Sequence, residues 1–254
     1  MAVVAAGPAP AEEMVANYSA HWAGLPAAKI RLTLRDASVG RDGSAGYHDE
    51  IEITTQGLPY LLSRFRAIAS AEGRLAADRR ADPSRYLAAY DLRKRHDSRV
   101  SMNFVRRASG TVAERGPDDT SRKPPLAEGF RKNSVDPLSA LERIREALRA
   151  AGPGGSFSVP VYDGARRFDI VGWILPRSKP TDGTLRAELT LRPIAGFRGE
   201  TSEDGDPDDA PRKVELTVTD DARLLPLSIT VPVFFMPLVI RFEELCPTAR
   251  SCSK

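Results

Sequence analysis

Period-two alternation of apolar and polar residues recurs along this chain, and it leaves few folds open. KIRLTLRD (29–36) sets Ile30, Leu32 and Leu34 against Arg31, Thr33 and Arg35. YSAHWAG (18–24) sets Tyr18, Ala20 and Trp22 on one side. YHDEIEITT (47–55) follows a glycine-rich turn, and TLRAELTLRPI (184–194), KVELTVTD (213–220) and LPLSITVPVFF (225–235) continue the series. RYLAAYDLRKR (85–95) and RVSMNFVRR (99–107) read as a hairpin around His96-Asp97. Strands with one apolar and one polar face, broken by Gly, Pro and Asp, make an antiparallel sheet buried on one side.

FSVPVYDGARRFDIVGW (157–173) reads as another hairpin. With Asp163-Gly164 as a two-residue turn, Tyr162 faces Ala165, Val161 faces Arg166 and Val159 faces Phe168. Phe157, Val159, Val161, Phe168 and Ile170 then share one face. Asp163 is thereby a turn residue rather than an acid or base.

One helix stands out in SVDPLSALERIREALRAAGPGG, about residues 136–150. Asp136 is its N-cap and Pro137 its first helical residue. Leu138, Leu141, Ile144, Arg145 and Leu148 follow the helical period, the apolar ones forming a stripe, and Gly152-Pro153-Gly154 stops it. The stripe needs a surface, most simply the concave side of the sheet. Segment 58–72 fits a helical turn at 58–62 followed by a strand. Residues 108–133 and the acidic 199–212 read as long loops.

Composition narrows the classes. At 41% hydrophobic and 28% charged over 254 residues, the chain is a folded one. A net charge of +3 gives no reason to invoke nucleic acid. No apolar run reaches the roughly 18 residues a membrane helix needs. Pro226, Pro232 and Pro237 interrupt the most apolar segment, which suits edge or bulged strands. The basic segment 64–107 would give one positive sheet face, suited to anionic head groups or an acidic partner, or simply to solubility.

The N-terminal MAVVAAGPAPAEEM (1–14) resembles the tail of an export signal, with Ala9-Pro10-Ala11 as a small-x-small cleavage site. A disordered Ala/Pro-rich leader is the alternative. Cys246 and Cys252 in CPTARSC close a short loop if they pair, as an oxidising compartment would allow; two free thiols are the alternative. The remainder, 15–245, reads as one domain and 246–254 as a tail.

Catalytic and cofactor motifs are missing from this sequence: no G-x-S-x-G, H-E-x-x-H, P-loop or G-x-G-x-x-G occurs. His21, His48 and His96 show no metal-ligand spacing. Asp204, Asp206, Asp208 and Glu215 imitate a calcium loop, but Asp209 stands where that loop needs Gly, and a solvated connection explains them better. Asp49, Glu50 and Glu52 read mostly as a solvated strand face. No catalytic residue, metal or cofactor is assigned.

The order of several short patterns resembles the bacterial domain of unknown function 3108 family across most of residues 15–245. These are Tyr-x-x-x-Trp-x-Gly (18–24), Gly57-Leu58 before S-A-E-G (70–73), Pro83 with Tyr86, VDPLSAL (135–141), PVYDGARRFDI (160–170) and DDARLLPL (220–227). The resemblance implies an exported envelope protein whose curved antiparallel sheet, a half-barrel, wraps one central helix, similar to the LolA/LolB lipoprotein carriers. It implies no catalytic residues. The expected function is a non-enzymatic periplasmic protein holding a lipid, acyl chain or hydrophobic peptide on its concave face. Trp22, Leu32, Leu34 and Phe104 would line it from the first half, and Phe168, Ile170, Leu189, Val218 and Ile229 from the second. The rivals are a packed-core factor that binds an envelope protein and an envelope hydrolase with dispersed carboxylates.

Overall fold

The structure, a computed structural model, describes residues 12–39, 45–76, 80–92, 95–121, 124–177, 183–197, 211–233 and 236–246. The alternating segments become strands β1 (Glu12–Trp22), β2 (Leu25–Val39), β3 (Ala45–Thr55), β4 (Arg66–Leu75), β5 (Ala81–Leu92), β6 (Arg95–Arg107) and β7 (Gly110–Arg115) in the first half. The second half holds β8 (Ser156–Tyr162), β9 (Arg167–Ile174), β10 (Thr184–Ala195), β11 (Arg212–Thr219), β12 (Pro226–Val233) and β13 (Met236–Cys246). Among the described residues there are three helices: α1 (Gly57–Ser63), α2 (Glu128–Arg131) and α3 (Ser139–Ala151).

All thirteen strands form one antiparallel sheet in the order β7-β6-β5-β4-β3-β2-β1-β13-β12-β11-β10-β9-β8. Each half is a meander, and the halves meet where β1 pairs with β13, from Val15↔Cys246 to Trp22↔Leu238. The edge strands β7 and β8 are consecutive in the chain. Alternation of direction through an odd number of strands makes them run the same way. They cannot pair with each other as the other neighbours do. A short segment fills the gap. Lys132 bridges antiparallel to Val112 of β7, and Val135 bridges parallel to Val161 of β8. The reversal happens at Asn133, whose φ is 54. The N–H of Asn133 donates to Thr111 C=O at 2.7 Å, and that of Val135 to Pro160 C=O at 2.9 Å. The curved sheet is thus nearly closed into a barrel.

Several expectations change. The helical turn expected at 58–62 is α1, followed as expected by a strand, β4, whereas α2 was not expected. α3 begins at Ser139, yet Ala140 N–H already donates to Asp136 C=O at 2.9 Å, so the turn at 136–138 prepares the helix. The stretch read as a loop from 108 contains β7 and α2. β1 opens at Glu12, inside the stretch read as a leader, and residues 1–11 lie outside the described ones. The apolar run read as one strand at 225–235 is followed by a further strand, β13. Leu92 pairs with Arg95, so the β5–β6 turn precedes His96-Asp97, which lie within β6. In the β8–β9 hairpin Tyr162 pairs with Arg167, giving a four-residue connection, 163–166, instead of two. The pairing moves by two residues, so every side chain keeps its expected face.

The core falls into two clusters. One gathers Tyr18, Leu32, Leu34, Tyr47, Tyr86 and Met102 from the first half, with Leu138. The other gathers Val161, Ile174, Leu189, Leu216 and Val218 from the second half, with Ala140, Ile144 and Leu148 of α3. Leu141 of α3 packs against the first cluster, so the helix contributes to both.

Candidate functional site

Alternation along β3 puts Tyr47, Asp49, Ile51 and Ile53 on one face and Glu50 and Glu52 on the other. Tyr47 and Asp49 are 3% and 1% exposed, so Asp49 is not part of a solvated face. Its opposite partners are Leu34 and Ala71, both buried. Both Asp49 carboxylate oxygens are buried without a hydrogen-bond partner, as are the Tyr18 hydroxyl and Trp22 Nε1. Burial pushes the Asp49 pKa up, Glu142 pushes it further, and Arg145 opposes them. Burial likewise raises the Tyr18 phenol, against the pull of Arg145.

The neighbouring polar groups of α3 are fully engaged. Asp136 Oδ1 accepts from Leu138 N–H at 2.9 Å and Ser139 N–H at 2.8 Å, while Oδ2 accepts the Ser139 hydroxyl at 2.5 Å. Burial still lifts the Asp136 pKa to about 6. Ser139 Oγ lies 2.7 Å from the Tyr47 hydroxyl. Because the Ser139 proton serves Asp136, Tyr47 is the donor. One turn on, Arg145 donates to Glu142, and its Nε and Nη2 donate to Arg223 C=O at 3.0 and 2.7 Å. Arg149 Nη2 donates to Ala222 C=O at 2.9 Å. Two arginines therefore tie α3 to the β11–β12 turn. A cavity of about 310 Å³ opens there, bordered by Met14, Leu34, Asp36, Arg145, Arg149 and Arg223.

The nine residues expected to line a ligand divide between the two clusters. Leu32 and Leu34 are buried in the first, with Phe104 packed against it. Leu189 and Val218 are buried in the second, with Phe168, Ile170 and Ile229 packed against it. Trp22 is half-buried at the end of β1. Leu34 alone of the nine borders the cavity beside Arg145. Sequence reasoning missed Asp49 as an interior group, although its parity with Tyr47 and Ile51 was the available signal.

The YDGARR stretch is a turn held by Asp163. Its Oδ1 accepts from Ala165 and Arg166 N–H at 2.9 and 2.6 Å, and its Oδ2 pairs with Arg166 Nε at 2.9 Å. This side-chain turn displaces the two-residue geometry. The basic strands are largely neutralised where they carry partners: Arg85 with Asp118, Arg106 with Asp82 and Arg107 with Glu114. Asp204, Asp206, Asp208 and Cys252 lie outside the described residues. Among the described residues no three His, Cys, Asp or Glu gather as metal ligands, and no helix is long and apolar enough to cross a membrane.

One rim is apolar. Leu58, Tyr60 and Leu61 of α1 are exposed, as is Leu25 at the start of β2. α1 is pressed onto β2 at Gly57, where φ is +57 and a Cβ would come 2.6 Å from Pro26 O.

Residues 17–240 match the family described as protein of unknown function, DUF3108. The fold is similar to the crystal structure of a beta-barrel-like protein of domain of unknown function DUF1849 from Brucella abortus. That likeness has a TM-score of 0.55 at 9% identity and covers 94% of this chain and 98% of the other. No curated protein matches the chain.

Proposed function

The chain belongs to the DUF3108 family of proteins of unknown function, and from its interior we propose a non-enzymatic periplasmic binding protein that takes an amphipathic ligand, a lipid or acylated molecule. The observation that carries this is the set of unpartnered polar atoms on the inner wall, Asp49 above all. A buried carboxylate without a donor costs a few kcal/mol, and folds retain such groups chiefly at functional sites. A ligand with an apolar part against Leu34 and a donor group toward Asp49 would satisfy both. Helix α3, whose residues pack against both core clusters, would be the element that yields to admit it. Hydrolysis by a carboxylate pair is less well supported, because Asp136 is occupied as a cap and Glu142 by Arg145.

The test is mass spectrometry of organic extracts from natively purified protein, with Asp49→Leu in parallel. A copurifying amphiphile lost in Asp49→Leu is the expected result. Extracts free of bound organic molecules would overturn the proposal. A fusion of the native upstream region to an alkaline-phosphatase reporter tests the compartment, and an expressed but inactive fusion would count against it.

The second reading, an envelope factor binding a protein partner, is favoured by the apolar rim of Leu25, Leu58, Tyr60 and Leu61. Leu61→Glu should abolish partner capture while leaving extracted ligand unchanged.

A further inference from the structure

Three connections sit side by side at one end of the barrel: the β1–β2 turn, α1 between β3 and β4, and the β12–β13 hairpin. They are tied together, for Gln56 N–H donates to Ala27 C=O at 2.7 Å and Ala23 N–H to Pro237 C=O at 3.4 Å. Their large side chains face solvent. Leu25 is 61% exposed and Leu61 65%, and Leu58, Tyr60 and Met236 are exposed too. The stretches 22–28, 53–66 and 231–240 contain no Asp or Glu, and their only charges are Arg64 and Arg66. Asp91 of β5 stands opposite Arg66, which leaves Arg64, exposed at the end of α1, as the principal cation. Two hydroxyls are turned to backbone: Thr55 Oγ1 donates to Phe65 C=O and Ser63 Oγ to Pro59 C=O, both at 2.9 Å. The β1–β2 turn is Ala23-Gly24, with φ of 53 and 81. Such a turn favours Asn-Gly or Asp-Gly, so Ala23 leaves the tip without the polar side chain its backbone would prefer.

Water favours polar tips on the connections of a sheet, and these three have the reverse. A protein interface carries a polar rim and direct hydrogen bonds across it, whereas Thr55 and Ser63 spend their hydroxyls on their own chain. An apolar end with a tyrosine among its leucines, no carboxylate in its three stretches and an arginine behind them matches a bilayer with negative headgroups. We propose that this end of the barrel docks on an anionic bilayer surface, with Leu25, Leu58 and Leu61 entering the acyl boundary, Tyr60 at headgroup level and Arg64 against the phosphates. The acidic 199–212 connection joins β10 to β11 on the other half, so such a surface attracts one side of this end and repels the other, which tilts the docked barrel toward α1. The proposal gives the apolar rim a bilayer in place of a protein. Its residues are distinct from those around Asp49, so it stands or falls independently of the amphiphile reading.

Flotation of the full chain is measured with vesicles of mixed phosphatidylglycerol and phosphatidylcholine, and of phosphatidylcholine alone. Wild type, the double variant Leu58→Ser/Leu61→Ser, Arg64→Asn and the control Trp173→Ser are compared, each shown to be folded by its thermal unfolding. Trp173 is an exposed apolar residue at the opposite end of the sheet. Asn at position 64 accepts the left-handed φ of 47 found there. Wild type and Trp173→Ser should float with the mixed vesicles. The double variant should bind them at least about tenfold more weakly. Arg64→Asn should bind the mixed vesicles about fivefold more weakly and phosphatidylcholine no differently. If the double variant does not fold, Leu25→Ser gives the same comparison. Wild type that stays off both kinds of vesicle overturns the proposal, as does an equal loss in Trp173→Ser or a double variant that floats like wild type. A rim that captures a protein but no vesicle also overturns it and assigns the rim to the partner reading. Asp49→Leu should float as wild type does, so failure of the amphiphile reading would leave this result standing.

Discussion

The Tyr47 hydroxyl lies 2.7 Å from the Ser139 hydroxyl, and through it β3 is joined to the cap of α3 at Asp136. All three residues are buried. Tyr47→Phe should lower stability by about 1 kcal/mol, the usual worth of one internal hydrogen bond. Ser139→Ala should lower it by more, about 1–3 kcal/mol, since it also strips a donor from the buried Asp136. Urea unfolding of the two variants checks the order; Tyr47→Phe as the more harmful change would contradict it.

Asp49 makes the fold sensitive to base. Its pKa in the fold is raised, so between the ordinary carboxylate range and its folded value the unfolded chain has released a proton that the fold retains. Stability is therefore full at low pH and falls as pH rises through that window, by at most about 1.4 kcal/mol per unit. Asp136, raised to about 6, adds a decline of the same sign that ends near that pH. Asp49→Asn should flatten the melting-temperature profile above pH 6 and raise it at pH 8. Parallel profiles for the two proteins above pH 6 would show that Asp49 does not titrate there.

The β8–β9 turn separates side-chain chemistry from backbone strain. Asp163→Asn keeps the Oδ1 acceptor and should change stability by less than about 1 kcal/mol, whereas Asp163→Ala should cost about 1–2 kcal/mol. Gly164 has φ +96, and a Cβ there would meet Val100 Cγ1 at 2.6 Å. Gly164→Val should cost at least about 2 kcal/mol. Circular-dichroism melts rank the three; Asp163→Asn as the worst would restore a chemical role for the carboxylate.

Cys246 ends β13, buried, with its Sγ 3.6 Å from Asn17 Nδ2. We expect it to pair with Cys252 in the oxidised protein, for about 2 kcal/mol of stabilisation through a short closed loop. Intact mass after alkylation without reductant decides it: no added alkyl group is expected, and two would mean free thiols.

Much of the sheet was legible because alternation is local. Ile30, Leu32 and Leu34 announce β2 without help from any other part of the chain. β13 was hidden because Pro232 and Pro237 sit opposite each other at a hairpin within one apolar run, where alternation alone does not mark a boundary. β7 is six residues long, and Val112 and Ala113 are both buried, so its two faces do not differ. The interior site was half legible: parity on β3 points Asp49 inward, but only the tertiary fold brings Glu142 and Arg145 near it.

The pairing of β1 with β13 has a consequence in time. Every other strand pair in the sheet joins chain neighbours, whereas this one spans nearly the whole sequence. Before β13 docks, β1 through β7 can assemble in order, but β1 keeps a row of unsatisfied backbone groups along one side until β13 pairs with it. The pairing with the largest sequence separation, the kind that topology makes slow to form, is thus also the one that joins the two halves. Until it forms, the newborn protein carries an open strand edge of the kind that recruits other chains, and a holding chaperone would find its natural target there.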